Sequence, residues 1–268
     1  MDILVVLEET QGSLHRLSKE AIVGAQKLGG KIVALAIGRH CDQIADECSS
    51  YDLENIITVN HELVSTYNAD GYLHIIKKVI EANSPKIIVA GHTYQTRDFM
   101  PRVSAATDIP FIPDIISFSD SSFVKQVLNA KLNATTSFIT DQVIMSFQSA
   151  AFSEDNIMSG SCSAKAFDVN LDSSIVRSKS EDPFQEDAGD VDLESAELLV
   201  SVGRGIEKEE NIPMAFELAK VLGAEVSASR PVVDSGWIDS FRQVGSSGSN
   251  VAPKLYFSLG ISGAIQHV

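Results

Sequence analysis

The chain is poor in basic charge: 21 Lys and Arg stand against 36 Asp and Glu, a formal net charge of −15 over 268 residues. With no basic stripe anywhere, that balance argues against a nucleic-acid partner. Cysteine is scarce as well. Cys41, Cys48 and Cys162 are an odd set at no metal-ligand spacing, which speaks against a disulfide framework or a metal centre and for a reducing compartment. No apolar run approaches the ~18 residues a bilayer span requires, so an integral membrane protein is not expected. Phosphate-loop, zinc-protease (His-Glu-x-x-His) and nucleophile-elbow (Gly-x-Ser-x-Gly) signatures are all missing. The N-terminus has no basic leader and no Arg- and Ser-rich transit segment. It reads as a first strand in a cytoplasmic protein, or in a mitochondrial matrix protein if a processed eukaryotic form.

What is present suffices for a core. Hydrophobic residues make up 44% of the chain and charged residues 21%, ordinary values for a globular protein of one or two domains. The first ninety residues alternate between strand-length apolar runs (3–7, 31–38, 55–59, 86–90) and helical patterns (18–28, 42–48, 70–82). In the last of these, Tyr72, Ile75, Ile76, Val79 and Ile80 share one face. A further helix holds residues 101–106. Continuous apolar strands alternating with helices predict α/β architecture with a parallel sheet covered on both faces.

The texture then changes. Pro110 and Pro113 predict a loop over 108–114. Residues 125–138 and 142–147 read as strands of an antiparallel edge or extension, and 161–177 as further β structure. Residues 181–194 hold seven acids and no Lys or Arg, the composition of a solvated linker. A second β-α-β run follows, with a strand over 196–202, a helix over 212–222, and strands over 226–230 and 251–260. The expected organisation is therefore α/β in two domains, each built on a mainly parallel sheet with flanking helices. Residues 1–180 form a nucleotide-binding-like domain, 181–194 a linker, and 195–268 a Rossmann-like domain.

No nucleophile with a matching base stands out, so no catalytic residue is assigned. His92 follows a predicted strand and reads as a satisfied loop residue, with a cleft role as the alternative. His15, His40, His61 and His74 have no evident partner in sequence, and the cysteines read as small buried hydrophobes. The second domain carries the distinctive turns. Gly203-Arg204-Gly205 follows a strand, and Pro231 predicts an extended Arg230. The segment 231–250 is a long irregular loop ending in Gly245-Ser246-Ser247-Gly248. Gly260-Ile261-Ser262-Gly263 opens a predicted helix, where exposed N–H groups and the helix dipole favour an anion.

These blocks are Ser201-Val202-Gly203-Arg204-Gly205, residues 229–237 with Ser229-Arg230-Pro231, Gln243-Val244-Gly245, residues 251–256, and Gly260-Ile261-Ser262-Gly263-Ala264-Ile265-Gln266-His267. In order and spacing they resemble the alpha subunit of electron transfer flavoprotein. Residues 100–106 resemble that family's Leu-Pro-Arg-Val-Ala-Ala segment. The resemblance implies an FAD-binding second domain, a first domain facing a beta subunit, and electron transfer without substrate conversion. Electrons would come from acyl-CoA and related dehydrogenases and go singly to a membrane quinone oxidoreductase. It places Arg204, Ser229 and Arg230 beside the cofactor, with the Arg230 guanidinium over the flavin ring. Gln243, Val244, Gly245, Ser246 and Ser247 form the loop at the flavin edge and pyrophosphate. Gly260, Ile261, Ser262, Gly263, Ala264 and Gln266 form a phosphate-binding turn, and His267 lies near flavin O2. Ser246 and Ser247 depart from the family's Gly-Gln-Thr-Gly: Ser247 keeps a hydroxyl for flavin N5, while Ser246 is shorter than Gln. The family continues beyond the point matching His267, which implies a C-terminally truncated chain with weakened or absent FAD binding when it is on its own. Two other readings are a same-fold interaction subunit that has lost FAD and an adenine-nucleotide-binding α/β protein.

Overall fold

A computed structural model describes residues 1–128, 130–178, 191–193, 196–245, 248–249, 251–263 and 267. The chain divides into two compact units, Met1–Asp182 and Pro183–Val268. Each is α/β with a mainly parallel sheet, as the sequence predicts.

The first unit opens with β1 (Ile3–Val6), a small antiparallel hairpin of β2 (Glu9–Thr10) and β3 (Ser13–Leu14), and α1 (Arg16–Leu28). There follow β4 (Ile32–Ile37), α2 (Cys41–Cys48), β5 (Asn55–Val59), α3 (Ala69–Asn83), β6 (Ile87–Gly91) and α4 (Tyr94–Thr107). The strands β7 (Phe111–Ser119), β8 (Ser122–Val127), β9 (Leu132–Thr136), β10 (Val143–Phe147) and β11 (Ala164–Ala166) complete it. One sheet runs β11-β5-β4-β1-β6-β10-β7-β8-β9, parallel from β11 to β7 and antiparallel at β8 and β9. Side chains alternate along each strand, so β1 feeds both faces. Ile3 and Val5 join the core beneath α1 and α2, and Leu4 and Val6 join the core beneath α3 and α4. The α3 stripe of Tyr72, Ile75, Ile76, Val79 and Ile80 is buried throughout. Each such large apolar side chain contributes roughly 1.5–3 kcal/mol.

Helix ends follow local chemistry. The Asn68 side chain accepts the N–H of Gly71 at 2.7 Å to start α3, and Thr93 accepts the N–H of Thr96 at 3.0 Å to start α4. Two histidines without a partner in sequence also cap backbone: His15 Nδ1 accepts from Leu17 at 3.0 Å and His61 Nδ1 from Leu63 at 3.1 Å. His40 Nδ1 lies 3.0 Å from Glu9. Cys41 and Cys48 are buried, with burial pushing their thiols up to about 11 and about 12.

Four expectations fail in this unit. The 108–114 loop is short, because β7 begins at Phe111 and absorbs Pro113. There the register against β10 shifts between Met145 and Phe147, a bulge that accommodates a proline without an N–H and Asp114 at φ 63°. The Ser146 hydroxyl accepts the displaced Asp114 N–H at 3.1 Å. Strand β10 is not an antiparallel edge: it is a buried parallel strand between β6 and β7. Residues 125–138 do lie at the antiparallel edge, but as parts of two strands of a hairpin rather than one. Finally, 161–177 contains only β11, a short exposed edge strand.

The second unit holds β12 (Leu198–Val202), α5 (Ile212–Leu222), β13 (Glu225–Ala228), α6 (Arg230–Asp234) and β14 (Leu255–Leu259). Its sheet is parallel, ordered β13-β12-β14. Helix α5 covers one face with Ile212, Ala215 and Ala219, against Val200, Val202, Val226 and Ala228. It stops at Gly223, which takes the left-handed conformation at φ 66°. On the other face Leu199 packs with Leu193 and Val244. The expected 226–230 strand ends early. Arg230 is the first residue of α6 rather than extended, since a proline in the first turn loses only an N–H that has no helical partner. The expected acidic linker lies largely outside the described residues.

Candidate functional site

Carboxyl ends of parallel strands, where the order of strands reverses, are where open α/β sheets place ligands. Each unit has such an edge, and the two differ in chemistry.

In the first unit the chain turns outward on either side of β1 and β6. Glu8 follows β1, and its carboxylate accepts the Thr93 hydroxyl from the residues after β6. Burial raises the Glu8 pKa to about 7, against the opposing effect of the Thr93 hydrogen bond. Next to it, His92 Nδ1 lies 2.8 Å from the Ser146 hydroxyl and Nε2 3.9 Å from Asp114. Burial lowers the His92 pKa, so the imidazole is a neutral, hydrogen-bonded part of the fold.

In the second unit the edge is made of glycines. The Gly203 N–H donates to Leu259 O and the Gly205 N–H to Gly260 O, both at 2.8 Å. The turns after β12 and β14 therefore lie directly against each other. A Cβ at Gly203 would sit 2.4 Å from Gly260 O, one at Gly205 2.8 Å from Gly260 Cα, and one at Gly260 2.5 Å from the Gly205 carbonyl carbon. Gly260 also holds φ at +67°, a conformation few other residues adopt without strain. Between them Arg204 heads a short 3₁₀ turn with its side chain exposed.

The end of β13 is folded back in the same way. The Ser229 N–H donates to Val202 O at 2.9 Å, and Ser229 stands at the N-terminal boundary of α6 without its side chain capping it. Val244 N–H donates to Ala228 O at 3.0 Å, laying Gln243 and Val244 against the strand end. The turn behind them closes through Gly248 N–H to Gly245 O at 2.9 Å and Ser249 N–H to Gln243 O at 2.8 Å. A Cβ at Gly248 would meet Gln243 O at 2.3 Å.

Of the residues singled out in sequence, Arg204, Ser229, Arg230, Gln243, Gly245, Gly260, Ile261, Ser262 and Gly263 thus stand on the segments leaving one carboxyl edge. Arg230 is exposed, with Nε 3.4 Å from Asp234. Val244 differs from the rest: its side chain is in the core beside Leu193 and Leu199. Residues 261–263 are not helical, and Ser246, Ser247, Ala264 and Gln266 lie outside the described residues. Arg242, in the same long segment, does structural work. It donates to Val226 O at 2.8 Å and lies over the rings of Phe216 and Phe241.

His267 is held by a residue the sequence reading passed over. The Tyr256 hydroxyl lies 2.5 Å from His267 Nδ1. Ser201 and Ser227, paired across β12 and β13, are fully buried, and their hydroxyls find no hydrogen bond of good geometry. Burial raises the Tyr256 pKa, against the opposing effect of the nearby Ser201 and Ser227 hydroxyls. A signal did exist: serine inside the continuous apolar run Leu198-Leu199-Val200-Ser201-Val202.

Among the described residues, no three His, Cys, Asp or Glu side chains are placed to hold a metal, and no helix is long and apolar enough to cross a membrane. The edge instead offers close-packed backbone, two guanidinium groups and small hydroxyls. That donor set fits a phosphate-bearing ligand with a flat ring system.

Comparison with known proteins gives each unit a family match. Residues 192–268 match the electron transfer flavoprotein FAD-binding domain, and residues 3–172 the electron transfer flavoprotein domain. Electron transfer flavoprotein subunit alpha of Bacillus subtilis is 32% identical over 99% of this chain and 83% of its own length. The protein of the same name from Thermoanaerobacterium thermosaccharolyticum is 32% identical over 100% of this chain and 84% of its own. The acryloyl-CoA reductase electron transfer subunit beta of Anaerotignum propionicum is 31% identical over 99% and 83%.

Proposed function

The chain belongs to the electron transfer flavoprotein alpha-subunit family, and from that footing we propose that it is the FAD-carrying half of a two-subunit electron carrier in the cytoplasm. Its partner in this reading is an electron transfer flavoprotein beta subunit. Acyl-CoA and related dehydrogenases deliver the electrons, and a membrane quinone oxidoreductase takes them away one at a time. The chain converts no substrate of its own.

One observation carries the reading. Gly203, Gly205 and Gly260 interlock without room for a Cβ at the strand ends of the unit that matches the FAD-binding domain. Bound FAD supplies the one- and two-electron chemistry, and the protein's part is position and field. The backbone of 203–205 and 260–263, with Ser262 and Gln266, would take the phosphates. Ser229, Gln243, Gly245 and Ser247 would line the ring edge. The exposed Arg230 guanidinium would favour negative charge on the ring, through a charge-assisted interaction of roughly 1.5–3 kcal/mol. His267 would donate a hydrogen bond at the ring's carbonyl edge.

The test is reduction by a dehydrogenase. The chain with its beta subunit and FAD is mixed with an acyl-CoA dehydrogenase and acyl-CoA, and the flavin absorbance is followed. Bleaching that returns on adding the quinone oxidoreductase supports the reading. A relative named for acryloyl-CoA reductase favours a second reading, in which the carrier feeds a reductase. Reduced carrier reoxidised by such a reductase with acryloyl-CoA, and no bleaching by dehydrogenases, would favour that direction.

A further inference from the structure

His267 enters the proposed reading as a hydrogen-bond donor, and a neutral imidazole has only one N–H to give. Which nitrogen carries it depends on what the other nitrogen meets. Burial lowers the His267 pKa and is the sole cause of its shift, so the ring is neutral. Its Nδ1 lies 2.5 Å from the Tyr256 hydroxyl.

The roles in that pair follow from the rest of the cluster. Tyr256 sits on β14, opposite Leu199 of β12, and Ser201, two residues beyond Leu199 and paired with Ser227 of β13, shares its face of the sheet. Ser201 and Ser227 are buried side chains whose hydroxyls have no hydrogen-bond partner in this arrangement. A buried hydroxyl left unpaired is costly, and alanine would fill these positions without that cost. Two serines in register at this depth are explained if both donate to the phenol oxygen. With its lone pairs so occupied, the phenol has one proton to place, and Nδ1 is the acceptor within reach.

We propose that Tyr256, held by Ser201 and Ser227, is a positioning residue: its hydroxyl donates to His267 Nδ1 and thereby fixes the imidazole with its proton on Nε2. The chain of donors runs from the two serines through the phenol to the imidazole, and it ends in an N–H free to serve a ligand. That this ligand is the flavin carbonyl rests on the proposed function above; the Tyr–His pair itself does not.

The experiment uses the full chain labelled with ¹⁵N-histidine, with His267→Gln to assign the ring signals. Wild type should show a protonated Nε2 and an Nδ1 with the shift of a hydrogen-bond acceptor. Tyr256→Phe should move the Nδ1 signal and raise the His267 pKa by roughly half to one unit, because the lost bond favoured the neutral ring. The double variant Ser201→Ala with Ser227→Ala should move the same signal in the same direction, and Ser235→Ala, exposed at the end of α6, should not. Ring signals and pKa unchanged by Tyr256→Phe would overturn the proposal. A second arm measures FAD affinity with the beta subunit present, where Tyr256→Phe should weaken binding roughly two- to tenfold. Ring signals that move while FAD affinity does not would leave the Tyr–His pair standing and overturn the placement of His267 at the flavin.

Discussion

Gly205 donates its backbone N–H to the carbonyl of Gly260 at 2.8 Å, and neither residue has room for a side chain. This contact welds the turn after β12 to the turn after β14 and sets the floor of the proposed cofactor edge. Gly260→Ala adds left-handed strain to a backbone collision, a combined cost of roughly 2–4 kcal/mol. Trp237, the sole tryptophan, packs against the second unit's core, so its fluorescence follows that unit alone. Denaturant unfolding read by Trp237 should shift to lower midpoint in the variant. An unchanged midpoint would mean that the two turns can separate freely.

Gly24 of α1 is a comparable constraint in the other unit. A Cβ there would sit 2.3 Å from the Phe147 ring, on a buried strand that cannot retreat. Gly24→Ala should destabilise the first unit by roughly 1–3 kcal/mol. The transition seen by far-ultraviolet circular dichroism should move, and the Trp237 transition should not.

Glu8 gives a pH dependence of definite sign. Its pKa in the fold is raised to about 7 from 4.5, chiefly by burial. The folded state therefore holds a proton that the unfolded state has already lost. Stability from this group is fully present below about pH 4.5 and is lost as pH rises to about 7, a change of roughly 3 kcal/mol at about 1.4 kcal/mol per unit. Glu8→Gln should flatten that slope and leave the variant more stable than wild type above pH 7. Hydrogen exchange of the β1 and β6 amides between pH 5 and 8 reads it. A variant with the wild-type slope would show that another group titrates.

Arg230 pairs with Asp234 at 3.4 Å, and both side chains are largely exposed, so the guanidinium is free to turn to a ligand. Arg230→Ala should lower the first reduction potential of bound FAD by roughly 65 mV, the lower end expected for a charge-assisted hydrogen bond shared with solvent. A potential unmoved with FAD still bound would place this arginine away from the ring.

Much of the fold was legible because its signals are local. The apolar runs and helical stripes up to α4 state their own periods, and Ile75, Ile76 and Val79 lie where the stripe puts them. Most of the failures depend on partners distant in sequence. Nothing in Val143–Phe147 says that its neighbours are β6 and β7. Pro113 reads as a loop residue until β10 supplies a bulge to hold it. Pro231 was read for its effect on Arg230 rather than as a helix opener. At the site, the glycine turns were visible as motifs, whereas the reason each must be glycine is a contact between strand ends 55 residues apart at Gly205 and Gly260. The Ser201–Ser227–Tyr256 cluster exists only across three strands, and no local pattern joins its members.

The account turns on FAD seated at the second unit's glycine edge, and the most direct measurement is cofactor content. The chain is co-purified with its beta subunit, and FAD per alpha chain is quantified from the visible spectrum, beside the Gly260→Ala variant. The account predicts a yellow wild-type complex with FAD close to one per chain, and a variant complex depleted of it. A colourless wild-type complex that takes up no added FAD, or a variant that retains full FAD, would contradict it.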